Sequence, residues 1–340
     1  MNKITHLKHS IIALLGIALL SISCSRDGSL DVLENREVSF SVNSEAISTK
    51  VTPTTTSTIT ASPFGVIAYT HAAGAAASAW TLHANSTVTY TSGAWVPSPR
   101  VYWPAKNQKV SYFAYWPKAD GNGITVTPAS NAAPTATVKI KGGSGTELNN
   151  QVDFLVAKAT NLDDNPAFNA LNVNLGFNHV LSGVRFKCED GVTVESVTIS
   201  GVYNSGTYNL TTNAWSGQAV SGSDNSYTLT GITYDAASGG YKTFKSEHTL
   251  FMLPQQIPAG AKISVKVEGV AQPIEADMVG HTWDAGKLIT YLIKETNVGI
   301  TIVMVEIEDL RPYPGSISID ESDFYIIPVE DNIDDSRILR

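Results

Sequence analysis

Cysteine is almost missing from this sequence: 340 residues contain two, Cys24 and Cys188. Charge is sparse as well, with Asp, Glu, Lys and Arg at 16% and a formal net charge of −8. A surface of that sign with no basic cluster offers no stripe for phosphates, which excludes nucleic acid as a partner. No segment reads as a long amphipathic helix. The mature-chain histidines are His71, His83, His179, His248 and His281, and none forms an HxxxH or HExxH pair. With no cysteine pair to join them, they build no zinc site. A GxSxG elbow, a P-loop and a dinucleotide fingerprint are all missing. "GGSGTE", from Gly142, lacks the lysine and the following helix of a phosphate cradle. Asp163, Asp164 and Asn165 lack the spacing of an EF-hand calcium loop and read as a solvated turn. His179 stands near Ser182 in "FNHVLSG" but reads as a packing residue at a strand end. The sequence therefore points to no catalytic residue, no metal and no cofactor.

What is present begins with export. Lys3 and Lys8 precede an apolar run over residues 11–20. A helix needs about 20 apolar residues to cross a bilayer, so this run reads as a signal peptide over 1–23. Ser21 and Ser23 flank Ile22 just before Cys24, and the stretch resembles a bacterial lipobox, although Ser21 stands where leucine is usual. Cys24 is the expected lipidation site, on an outer-membrane lipoprotein precursor. The alternative is a plain signal peptide with an incidental cysteine. Cys188 would then be the one remaining thiol, unable to form an internal disulfide, and the core alone would hold the fold.

Beyond a polar tether over 24–36 the pattern becomes that of strands. "EVSFSV" sends Val38, Phe40 and Val42 one way and Ser39 and Ser41 the other, the mark of a half-buried strand. Further strands are expected at 64–70, 100–103 and 109–116, in "TATVKIKGG" and in "VDFLVAKAT". "HAAGAAASAW" reads as a small-residue loop. Strand logic restarts in "LNVNLGFNHVLSGVRFKCE" and continues to a last pair, "HTWDAGKLITYLIKE" and "VGITIVMVEIED". Short strands separated by turns at this rhythm are the signature of β-sandwiches. The length suggests two, at 37–170 and 171–309. An acidic tail over 310–340 follows, with "GSISI" and "DFYIIPV" as strand-like pieces built to pair with something.

Trp95, Tyr102, Trp103, Tyr112, Phe113, Tyr115 and Trp116 crowd one stretch. Large rings fill sandwich cores, which is the favoured reading. Sugar stacking on Trp103 and Trp116 is the alternative.

The ordered set "FGVIAYT", "RVYWPAKNQKVSYFAYWP", "DFLVAKAT", "LNVNLGFNHVLSGVRF", "LFMLPQQI" and "TWDAGKLITYLI" resembles the fimbrillin family over about residues 37–305. These are lipoprotein subunits of type V pili in Gram-negative anaerobes. The resemblance implies an all-β chain of two tandem transthyretin-like β-sandwich domains. It also implies assembly by strand exchange after an arginine-specific protease removes a lipidated leader and with it the first strand, with the tail pieces "GSISI" and "DFYIIPV" as candidate donor strands and adhesion as the outcome. Carried onto this chain, Cys24 matches the lipid site and Arg36 the cleavage site. Lys50 is the alternative, because a cut at Arg36 leaves "EVSFSV" attached. The implied partners are other pilin subunits, the outer membrane through the lipid, and host or bacterial surface ligands. The rival reading is a monomeric surface lipoprotein that binds glycans through its aromatics.

Overall fold

The computed structural model describes residues 37–43, 60–104, 108–118, 123–162, 172–223, 225–296 and 299–310. Cys24, Arg36, Lys50, the turn at Asp163 and the tail pieces lie outside the described residues.

The described chain is all-β, with three short 3-10 turns and no α-helix. Its largest sheet has eight strands, in the order Asn172–Gly176, Ser39–Asn43, Ala94–Ser98, Thr81–Thr91, Phe64–His71, Lys109–Trp116, Leu155–Leu162 and Asn178–His179. The sheet curls, so that Leu155–Leu162 comes beside Asn172–Gly176. The curl encloses a core of Phe40, Phe64, Val66, Tyr112, Trp116 and Leu175 among others.

The aromatic crowding has a simple cause. Lys109–Trp116 lies in the middle of this sheet and is buried on both faces. Tyr112, Ala114 and Trp116 point into the enclosed core. Phe113 and Tyr115 point out of it, into a second and larger core. The neighbouring strand Phe64–His71 is likewise buried along its whole length. A short apolar run without alternation is what a doubly covered strand requires.

The second core is closed by three further sheets. One pairs Ala214–Ala219, Ser205–Asn209, Thr135–Lys139 and Ile124–Thr127. Another is built on Val194–Ser200, Ser226–Thr230 and Lys262–Val267. The third contains Ser182–Glu189, Lys287–Thr296 and Gly299–Asp309, with the last strand at its edge. Here alternation holds: Lys262–Val267 buries Ile263, Val265 and Val267 and turns the intervening residues outward.

Two findings depart from the sequence reading. Residues 100–103 form no strand; Tyr102 makes an isolated bridge to Glu37, while Val101 and Trp103 are buried. Pro99 and Pro104 bound that piece, and proline donates no ladder hydrogen bond. In addition, stretches on either side of residue 170 share sheets. Ser39–Asn43 pairs with Asn172–Gly176, Thr135–Lys139 with Ser205–Asn209, and Gly143–Ser144 with Ser226–Thr230.

Candidate functional site

The strand Ser39–Asn43 occupies a slot in the curled sheet. On one side it pairs in parallel with Asn172–Gly176, from Ser39 opposite Asn172 to Asn43 opposite Gly176. On the other side it meets Ala94–Ser98 through Phe40 opposite Trp95. The lead-in is fixed by the Val38 backbone N–H, which donates to Val101 O at 2.8 Å, and by an ion pair between Arg100 and Glu37.

Alternation decides what each side chain does. Val38 and Phe40 are buried, and Val42 packs against the same core. The Phe40 ring meets Phe64 at 6.4 Å and Tyr112 at 5.8 Å, both edge-on. Ser39 and Ser41 face outward. Ser39 Oγ donates to Asn172 Oδ1 (3.3 Å), Asn172 Nδ2 donates to Ser41 Oγ (2.8 Å), and Ser41 Oγ donates to Asn174 Oδ1 (3.4 Å). The result is a hydrogen-bonded rail running along the outside of the slot.

Two opposing free energies of similar size act on this strand. Burying three apolar side chains contributes roughly 5–8 kcal/mol gross. Ordering five backbone residues costs roughly 5–10 kcal/mol. The two nearly cancel, so the ladder hydrogen bonds and the covalent tether keep the strand in place. The core beneath is also imperfectly satisfied. Ser86 Oγ, Trp103 Nε1, Tyr112 Oη and Trp116 Nε1 are buried there with no hydrogen-bond partner among the described residues. Burial holds the Tyr112 hydroxyl well above its ordinary pKa.

Trp103 and Trp116 were the residues of the glycan reading. They are 9% and 4% exposed, and their rings belong to this core rather than to a surface platform.

Elsewhere the polar residues serve structure. His179 does sit at a strand end, but it is more than a packing residue: its Nδ1 is paired with Asp153 Oδ2. Burial disfavours the charged imidazole, yet the charge and hydrogen bond of Asp153 outweigh this and raise its pKa. Ser182 Oγ donates to Asp284 O at 2.8 Å and takes no part in that pair. His71 Nδ1 donates to Ala72 O, so its Nε2 accepts from Ser111 Oγ at 2.8 Å. Cys188 is buried, which pushes its thiol up to about 11 and leaves it unreactive. The "GGSGTE" stretch lines an open polar cavity of about 490 Å³, with Lys141, Ser144 and Glu147 on its wall. Glu147 folds back there to accept the Ser144 backbone N–H at 3.1 Å. Among the described residues no group of three His, Cys, Asp or Glu side chains could hold a metal, and no helix is long and apolar enough to cross a membrane.

The slot was legible in part. Alternation in "EVSFSV" marked the strand, whereas its parallel partner and the serine–asparagine rail carried no signal in the sequence.

No curated protein matches the chain. Among solved structures, a fimbrial protein from Bacteroides vulgatus is 19% identical with a TM-score of 0.59, covering 81% of this chain and 100% of its own. A candidate cell adhesion protein from Bacteroides ovatus is 20% identical with a TM-score of 0.52, covering 80% of this chain and 96% of its own. At these identities the likeness establishes the fold. The fimbrillin-like family profile matches residues 49–309, most of the chain, and the protein belongs to that family.

Proposed function

We propose that this chain is a subunit of a cell-surface pilus whose copies join by strand exchange. The leader carrying Ser39–Asn43 is cut away, and an incoming strand fills the emptied slot. As a fimbrillin-like protein the chain is a structural component of a surface adhesion apparatus and not an enzyme. The observation that carries the exchange reading is the seat of the first strand. It closes an apolar core, has neighbours on both sides, and is joined to the rest of the chain only through its carboxyl end once the leader is free. Emptied, the slot presents unpaired backbone and an apolar trough, which is a template for strand addition.

Cys24 is the lipid anchor of the precursor in this proposal. The two candidate cleavage sites differ in consequence. Arg36 precedes the strand, so a cut there frees the tether and leaves the slot filled. Lys50 follows it, so a cut there releases the strand. The position of Ser39–Asn43 therefore favours Lys50.

Treatment of the purified chain with a lysine-specific protease tests this. The expected result is a new amino terminus at Val51 and a ladder of polymers that resists detergent. Polymers formed instead after an arginine-specific cut, from subunits that begin at Glu37 and keep Ser39–Asn43, would show that the first strand is not what exchange replaces. A clean cut at Lys50 with only monomers would sink the exchange itself.

A further inference from the structure

The first strand closes over polar atoms that have nothing to bond. Among the described residues, five buried side-chain nitrogen or oxygen atoms lack a hydrogen-bond partner. Gln151 Nε2 is one. The other four, Ser86 Oγ, Trp103 Nε1, Tyr112 Oη and Trp116 Nε1, line the smaller core. Ser86 stands two residues before Val88 on its own strand and opposite Val66 on the next, so it faces the core that both of them enter. In the larger core comparable groups are paired. Tyr227 Oη donates to Ile140 O at 3.1 Å, and Trp283 Nε1 donates to Tyr291 Oη at 3.1 Å.

Buried polar groups are hydrogen-bonded in folded proteins with few exceptions, and a lone one carries the cost of having left water. Four in one small core concentrate that cost, and their place gives it a consequence. Tyr112 lies against the first strand, its ring 5.8 Å from that of Phe40. Trp103 follows by two residues the Val101 carbonyl that receives the Val38 N–H. The strand itself offers no remedy. The side chains that it sends inward, Val38, Phe40 and Val42, carry no polar atom.

We propose that the closed slot is held against an unmet hydrogen-bond demand, and that water meets this demand when the first strand lifts out. The core beneath the strand thereby favours opening before any other strand arrives. A core of the same shape without those polar atoms would hold Ser39–Asn43 more tightly. This inference rests on the strand-exchange reading, in which the opening of this slot is the decisive step.

Two substitutions delete a lone oxygen and keep the rest of the side chain: Tyr112→Phe and Ser86→Ala. Hydrogen exchange at the amides of residues 39–43 reads the opening of the slot in the full, uncut chain. Each variant should slow that exchange roughly ten-fold, the factor expected for one lone buried group. Each should also raise the melting temperature. Tyr227→Phe is the counterpart in the larger core. It breaks the bond to Ile140 O and should lower the melting temperature.

Faster exchange and a lower melting temperature in Tyr112→Phe, matching Tyr227→Phe, would show that an ordered water already satisfies the Tyr112 hydroxyl in the closed protein. That result overturns the proposal. So does a raised melting temperature with unchanged exchange at 39–43, because the demand would then be met only when the whole chain unfolds. Failure of strand exchange is a separate outcome. It is read from a chain that forms no polymer after a verified cut at Lys50, and exchange in the uncut chain does not depend on it.

Discussion

Asp153 is fully buried, and its carboxylate divides its oxygens between two neighbours: Oδ1 accepts the Phe154 backbone N–H and Oδ2 meets His179. The raised pKa of His179 means that the folded state binds a proton more tightly than the unfolded chain, whose histidine titrates near 6.5. The stabilisation is complete below about pH 6.5 and is lost as pH rises through the higher folded value. Asp153→Asn should therefore lower the melting temperature most at acidic pH and flatten its dependence between about pH 6 and 9. A melting series across that range checks this; a variant that keeps the wild-type slope would show that another group titrates. Gly65 makes a different demand. A Cβ there would fall 2.2 Å from the Tyr115 ring, on the strand paired beside it. Gly65→Ala should cost about 1–3 kcal/mol through overpacking, read as a lower denaturant midpoint at unchanged slope.

At the scale of the element, two kinds of strand share one sheet. Phe64–His71 and Lys109–Trp116 are covered on both faces and hold the cores together. Ser39–Asn43 covers one core from one side. Truncation should separate them. Phe40→Ala removes about 3 kcal/mol of packing from the first strand. That should leave the sheet folded, speed cleavage at Lys50 and raise hydrogen exchange at the amides of residues 39–43. Phe113→Ala should instead lower global stability, because Phe113 lies between Tyr69 and Trp80 in the larger core. If Phe40→Ala unfolds the whole chain cooperatively, the first strand is part of the fold and not a replaceable occupant.

On the scale of the whole molecule, the predictions concern place and assembly. Cys24→Ala should move the protein from the membrane fraction to the soluble one, because lipid chains anchor in proportion to their buried methylenes. Unchanged fractionation would end the lipid assignment. Much of the architecture was legible beforehand. Period-two alternation identified the half-buried strand in "EVSFSV", and the runs at 64–70 and 109–116 read as strands, although the burial of the second on both faces did not show. Reading was less complete where two elements had to meet. Residues 100–103 looked like a strand, yet their prolines leave a single bridge at Tyr102. His179 was read as packing because its partner, Asp153, is distant in sequence.

The sequence by itself determined the class of the fold, the inward side of the first strand and the scarcity of reactive motifs. Each of these follows from local alternation, composition or the spacing of motifs. Only the tertiary structure decided that Ser39–Asn43 sits beside Asn172–Gly176, with two asparagines across from two serines. Backbone ladders form between any two strands, so pairing at such separation is set by which curled sheet closes around which rings, and no local pattern records that choice.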